Sequence, residues 1–337
     1  MELAYGVVEG TPHDARFQQR GEPEKPGDVV PRGFLKAVGG GRLPETARGS
    51  GRRELAQWLT RPDHPLTARV MVNRIWQQHF GNGLVKTPND FGTRGQRPTH
   101  PELLDHLAQR FVADGWSVKS LHRLILLSAT YQQSARDPAP GGGAPAEEYV
   151  GFPRRRLTAE EIRDGILAVS GDLDLTPAQA HPFPSPISWG YTQHGPYSAV
   201  YDHDHRSLYL MTQRLKRHPF LALFDGADPN TSTPQRGMST VPTQSLYFLN
   251  DPFVHRKAER LAQELLARPA DDGARFDELM LRSVGRLPSE AERRDTQAFL
   301  DRYRGRLAER DTRAANEAAW AAVIRVIWGG NEFLHVD

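Results

Sequence analysis

Residues 66–80, LTARVMVNRIWQQHF, constrain this chain more than any other stretch. At about 100° per residue they form one helix. Leu66, Val72, Ile75, Trp76 and Phe80 share a broad face, but Arg69, Asn73 and His79 fall on it too, while Arg74, Gln77 and Gln78 lie toward the other side. An amphipathic helix normally separates apolar from polar residues. A buried guanidinium or amide without a partner costs roughly 1–3 kcal/mol or more. Other segments must therefore meet Arg69 and Asn73. If Arg69 is buried, Arg69→Ala should cost roughly 2–4 kcal/mol, as loss of one partner of a buried charged pair does.

Helical spacing recurs along the chain. Residues 52–59 make a short helix stopped by Pro62. Residues 101–114 carry Leu103, Leu104, Leu107 and Phe111 on one face, with Thr99 as N-cap and Gly115 as terminator. Residues 118–134 repeat the pattern through Leu121, Leu124, Ile125 and Ala129. Thr158 and Glu161 have capping-box spacing ahead of Ile162, Ile166 and Val169. Residues 243–249, 252–268, 276–284, 289–304 and 316–328 also read as helices. Extended segments are expected at 3–8, 16–20 and 206–213. GEPEKPGDVVPRG reads as a turn-rich connection, and residues 219–224 open a polar loop. The predicted fold class is mainly α: a multi-helix domain with long irregular loops and a small β segment near the N-terminus. The expected division is the tail of a preceding β-containing region at 1–38, a linker at 39–50, a main helical domain at 51–272 and a C-terminal three-helix subdomain at 273–337.

Composition excludes several functions. Lys plus Arg number 43 against 41 Asp plus Glu, so the near-neutral charge gives no electrostatic case for nucleic acid or an anionic membrane. With no cysteine there is no disulfide, thiol nucleophile, thiolate metal site or covalent haem attachment in this sequence. No apolar run approaches the ~20 residues that span a bilayer. The opening MELAYGVVEG lacks the basic and apolar regions of a signal peptide and reads like mid-domain sequence, so a piece of a longer protein is expected.

Four polar groups stand out. Arg69, Asn73 and His79 form either a buried hydrogen-bond lock, with Asp90 as an internal partner for Arg69 or Arg74, or a pocket floor in which Arg69 clamps an anionic ligand. Residues 225–250 pack Asp225, Asp228, Asn230, Ser232, Arg236, Ser239, Thr240, Gln244 and Asn250 among prolines. That is either a self-bonded Ω-like loop or a site, and Asp225 or Asp228 is a possible carboxylate for Arg69. His181, His194, His203 and His205 lie near Asp202 and Asp204. On a strand, His203 and His205 would share a face suited to a divalent metal, but no well-spaced third ligand accompanies them, so no metal site is assigned. Arg154, Arg155 and Arg156 precede a helix bearing Glu160, Arg163 and Asp164. Three cations are unfavourable at a helix's positive end, so at least one should reach a fixed partner elsewhere. No phosphate-binding loop, dinucleotide fingerprint, nucleophile elbow or His-Glu-x-x-His is present.

These segments also carry a resemblance. ELAQWLTRPDHPLTARVMVNRIWQQHFGNGLVKTPNDFG, HPELLDHLAQRFVADGWSVKSLHRLILLSATYQQS, RRRLTAEEIRDGILAVSGDLD, DPNTSTPQRGMSTVPTQSLYFLNDPFV and the ending NEFLHVD resemble, in this order, the planctomycete-type PSD-one domain. That is a C-terminal domain of unknown function, found after a planctomycete cytochrome c domain and a second conserved domain. The resemblance implies an extracytoplasmic, multi-domain protein with haem only in an upstream domain and no cofactor in this chain. It carries over no catalytic residue. The expected function is a binding or scaffold module for a protein partner or a polysaccharide. The alternatives are a glycan-acting hydrolase with Asp225 or Asp228 as acid/base and Arg69 positioning substrate, or a redox-partner domain of the upstream cytochrome.

Overall fold

The stretch at 66–80 is a helix in the computed structural model, spanning Thr67–Phe80 and ended by Gly81, whose φ of +78° turns the chain while its N–H reaches Gln77 O at 2.8 Å. The structure describes residues 6–135, 149, 151–152, 154–179, 202–214, 217–307 and 311–336. They fall into two units, Met1–Pro153 and Arg154–Asp337. Twelve helices and two small two-stranded sheets occur among the described residues, so the protein is mainly helical. None of these helices is long and apolar enough to cross a membrane.

In the first unit, β1 (Ala15–Gln18) pairs antiparallel with β2 (Pro26–Val30). β2 lies inside the stretch expected to be only turns. Its β-branched Val29 and Val30 suit a strand, and Pro26 sits at the first position, where a missing N–H is tolerated. Of the expected segment at 3–8, residues 6–8 are not in a strand and the rest lies outside the described residues. The helices are α1 (Arg52–Leu59), α2 (Thr67–Phe80), α3 (Pro101–Ala113) and α4 (Val118–Leu126). The core joins Val72, Trp76 and Phe80 of α2 to Leu104, Leu107 and Phe111 of α3 and Leu121 and Ile125 of α4.

Three details depart from expectation. α4 stops at Leu126, because Ser128 Oγ donates to Ile125 O at 2.6 Å and accepts from Tyr131 N at 3.2 Å, competing with the helical ladder. Leu124, within α4, and Ala129, beyond it, are both exposed rather than on the inner stripe. His100 takes the N-cap position of α3 without a side-chain cap, while Thr99 Oγ1 donates to Leu84 O at 3.3 Å. Gln77, expected on the outer side of α2, is buried.

The second unit opens with β3 (Arg155–Arg156) and α5 (Ala159–Val169), and the capping box is present, with Glu161 N on Thr158 Oγ1 at 3.3 Å and Thr158 N on Glu161 Oε2 at 2.7 Å. α6 (Pro219–Leu223) replaces the start of the expected polar loop, starting on a proline and burying Phe220. α7 (Pro242–Asn250), α8 (Pro252–Ala267), α9 (Asp272–Val284), α10 (Glu290–Arg306), α11 (Thr312–Trp328), α12 (Asn331–Leu334) and β4 (His335–Val336) follow. β4 pairs with β3 and ties the end of the chain back to α5. One core holds Ile162 and Ile166 of α5, Leu261 and Leu265 of α8, Leu279 of α9, Leu300 of α10 and Trp320 and Trp328 of α11. The three tail helices therefore share a core with α5 and α8. Residues 206–213 contain a single 3-10 turn, Ser207–Tyr209, and no strand, because Ser207 N is drawn onto Asp164 Oδ1 of α5 at 2.7 Å.

Candidate functional site

The polar residues of α2 have different fates. Asn73 is completely buried. Its amide meets one residue twice, donating from Nδ2 to Val85 O at 2.9 Å and accepting at Oδ1 from Val85 N at 2.7 Å. It behaves as a strand partner supplied by a side chain. Gly83 makes this possible, since a Cβ there would lie 2.6 and 2.8 Å from the two amide atoms.

Arg69 is 37% exposed and pairs with Asp105 of α3, Nε to Oδ1 at 2.6 Å, while Nη1 donates to Pro65 O at 2.7 Å. Its carboxylate partner is thus neither Asp90 nor a residue of 225–250. Asp90 closes its own turn, accepting from Gly92 N at 2.8 Å, and Arg74 donates to Asn89 Oδ1 at 3.2 Å. His79 Nε2 shares a 2.7 Å hydrogen bond with His122 Nδ1 of α4, with Tyr131 edge-on. The half-exposed Arg69–Asp105 pair revises the expected loss for Arg69→Ala to no more than about 1 kcal/mol. A loss of several kcal/mol in the unfolding free energy from urea titration would show that Arg69 carries more than this one pair.

Residues 225–250 are fastened from within the second unit. Asp225 adopts φ +61°, and its carboxylate accepts from Ser239 N and Oγ, both at 2.8 Å. Gln244, buried in the first turn of α7, donates to Leu223 O at 2.9 Å and accepts from Arg156 Nη2 at 3.0 Å. Arg156 also reaches Ser239 O and lies over the Phe224 ring at 5.6 Å. Arg155 forms a fork on Glu161 at 2.9 and 3.0 Å, so Arg155 and Arg156 both have fixed partners. Arg236 holds Glu160 through both Nη atoms. Asp228 accepts from Asn230 N at 2.9 Å, and Asn230 Nδ2 donates to Arg214 O at 2.8 Å. The fold thus joins Asp225, Ser239 and Gln244 in one network, while Asp228 with Asn230, and Arg236, serve separate contacts.

Arg163, one of the charges grouped at 154–164 in the sequence, lies inside the fold. It is 3% exposed, donating from Nη1 to His205 O at 3.2 Å and Ser207 Oγ at 3.3 Å and from Nη2 to His203 O, with its guanidinium 5.5 Å from the Phe253 ring. No carboxylate lies within ion-pair distance of it among the described residues. Burial lowers its pKa against the opposing pull of Asp164, Asp202 and Asp204. Tyr247 is pushed well above the usual phenol range by burial and by Asp251. The signal for Arg163 was its place on the same helical stripe as Ala159, Ile162 and Ile166.

His203 and His205 do come together, ring centroids 5.2 Å apart. His203 Nε2 lies 3.3 Å from Tyr209 O, and His205 Nδ1 lies 3.2 Å from Asp174 Oδ2. Among the described residues no three His, Asp or Glu side chains are grouped to hold a metal ion. His181 and His194 lie outside the described residues.

The first unit contains an open apolar groove of about 420 Å³, lined chiefly by Leu35, Trp58, Leu59, Val70 and Met71 with Arg74 at its edge. Phe34 stacks on Trp58 at 5.2 Å, and His64 meets the same indole edge-on at 4.8 Å, which fixes the groove wall. His64 Nδ1 accepts from Thr67 N at 3.2 Å and holds the start of α2. Leu35 is 72%, Leu59 39% and Met71 43% exposed. The sequence signal was a second stripe on α2, Thr67, Val70, Met71 and Arg74, at helical spacing but opposite the core.

Comparison with curated proteins finds no match. Comparison with solved structures finds none either. A family model described as PSD1, protein of unknown function (DUF1553), matches residues 51–300. That span runs from α1 into α10 and includes the Asn73 lock, two walls of the groove and the 225–250 network. The chain therefore belongs to the PSD1 (DUF1553) family of proteins of unknown function.

Proposed function

We propose that this chain is a binding or scaffold module of an exported multi-domain protein, engaging a protein partner through the apolar groove of its first unit. The carrying observation is the groove itself, where Leu35, Leu59 and Met71 leave apolar surface in water around the stacked Trp58. Grooves of this kind receive side-chain anchors from partner proteins. A polysaccharide would favour an exposed aromatic platform ringed by hydrogen-bonding groups, whereas the indole here is 8% exposed and the walls are aliphatic. The hydrolase alternative gains less support, because the carboxylate of Asp225 is engaged by Ser239 and that of Asp228 by Asn230.

Selection of a random displayed peptide library on the intact chain tests this reading. Apolar-anchored peptides should be enriched, and Met71→Asp should abolish their binding with an unchanged melting curve. Leu59→Asp provides the same comparison from the opposite wall. Absence of enrichment, or binding by both variants as tight as by the parent chain, would overturn the proposal.

A further inference from the structure

We infer that the partner segment seated in this groove is acidic, with an apolar anchor flanked by carboxylates. This inference rests on the protein-binding reading of the groove. Two cations stand at its margin. Lys36, exposed, opens the 3-10 turn Lys36–Val38 and falls in sequence between the lining residues Leu35 and Val38. Arg74 closes the other side, one helical turn beyond Met71 and Val70 on the outer stripe of α2. Among the described residues neither has a carboxylate partner, and Arg74 has only the neutral Asn89 Oδ1 at 3.2 Å. Two neighbouring arginines behave differently: Arg61 is paired with Asp63, and Arg69 with Asp105.

The geometry divides the work of recognition. The apolar floor, about 420 Å³, lies within the range of roughly 300–1,000 Å³ typical of pockets that enclose a compact ligand. Burying an aliphatic or aromatic anchor there supplies most of the affinity. The unpaired cations supply register and selection, attracting carboxylates beside the anchor and disfavouring a basic segment. Both cations are solvent-exposed, so their contribution should weaken as salt shortens the screening length from about 10 Å at 0.1 M toward about 3 Å at 1 M.

The test uses the intact chain and three fluorescent synthetic peptides that share one apolar core and carry acidic, neutral or basic flanks. By fluorescence polarisation at low salt the acidic peptide should bind at least about tenfold more tightly than the neutral one, and the basic one more weakly still. The double variant Lys36→Gln, Arg74→Gln should lose the acidic preference while keeping the affinity for the neutral peptide. Met71→Asp should abolish binding of all three. Equal binding of the three peptides, still abolished by Met71→Asp, would overturn the acidic assignment and leave the protein-binding reading standing. Preference for the basic peptide would overturn it likewise. Failure of every peptide to bind would overturn both.

Discussion

Asn73→Ala is expected to destabilise the protein by roughly 2–4 kcal/mol, more than any other change to the polar residues of α2. The substitution removes a donor and an acceptor at once. Val85, 2% exposed, is left with both its N–H and its C=O facing the vacated space. Each unsatisfied buried group costs about 1–3 kcal/mol, and the truncated side chain leaves a small void as well. An apolar isostere does not rescue the site: Asn73→Leu fills volume but satisfies neither backbone group. Asn73→Asp keeps the acceptor for Val85 N and sets a carboxylate oxygen against Val85 O, which also destabilises. Unfolding in urea measures the loss, and hydrogen exchange of the peptide containing Val85 localises it. An unchanged midpoint with full protection at 82–87 would show that the two bonds do not carry the junction. Arg69→Ala serves as the internal comparison, since its half-exposed pair with Asp105 should contribute about half as much or less.

This contrast shows which parts of the site could be read from the sequence. α1, α3, α5 and α8 were legible because apolar spacing and terminal signals agreed. In α5 the Thr158–Glu161 box fixed the start, and in α3 the apolar stripe and Gly115 fixed the extent. That α2 needed partners for its inner polar groups was also legible. The partners were not. Asn73 is met by a backbone pair, which leaves no side-chain signature, and Asp105 looks like any solvent-facing acid on α3.

Other misses have equally local causes. The apolar period of α4 continues on paper beyond Leu126, but Ser128 bonds back to Ile125 and ends the helix. β2 was hidden by the prolines and glycine around its valines. Near 154–164 the helix-dipole argument requires a distant partner for at least one arginine, and Arg156 does reach across to Ser239 and Gln244, but charge alone does not show that Arg163 lies on the buried stripe. The groove has a weaker signal, because Met71 and Val70 lie off the core face of α2. Their periodicity with Thr67 and Arg74 describes a second apolar surface, and this is the surface that suggests a partner.

Arg163→Ala carries the largest expected effect in the second unit, a loss of roughly 2–4 kcal/mol. The guanidinium is almost wholly out of water, yet among the described residues its partners are neutral: the carbonyls of His203 and His205 and the hydroxyl of Ser207. Three acceptors lose their donor together, and Phe253 loses the flat group stacked on its face. Because no carboxylate is left uncompensated, the loss should be smaller than for breaking a buried ion pair of the 3–5 kcal/mol class. Arg163→Met separates the contributions. It keeps apolar contact with Phe253 and removes the desolvation burden of the charge while leaving the acceptors unmet, so it should fall between the parent chain and Arg163→Ala. The melting temperature should drop by on the order of 4–16 °C for Arg163→Ala, at about 2–4 °C per kcal/mol for a unit of this size. Hydrogen exchange should rise at 203–209, the segment that the guanidinium pins to α5. If Arg163→Met is as damaging as Arg163→Ala, the hydrogen bonds outweigh packing at this site. If neither variant changes the melting curve, the anchoring role fails, and the contact between α5 and residues 203–209 must rest on Asp164 and Ser207 instead.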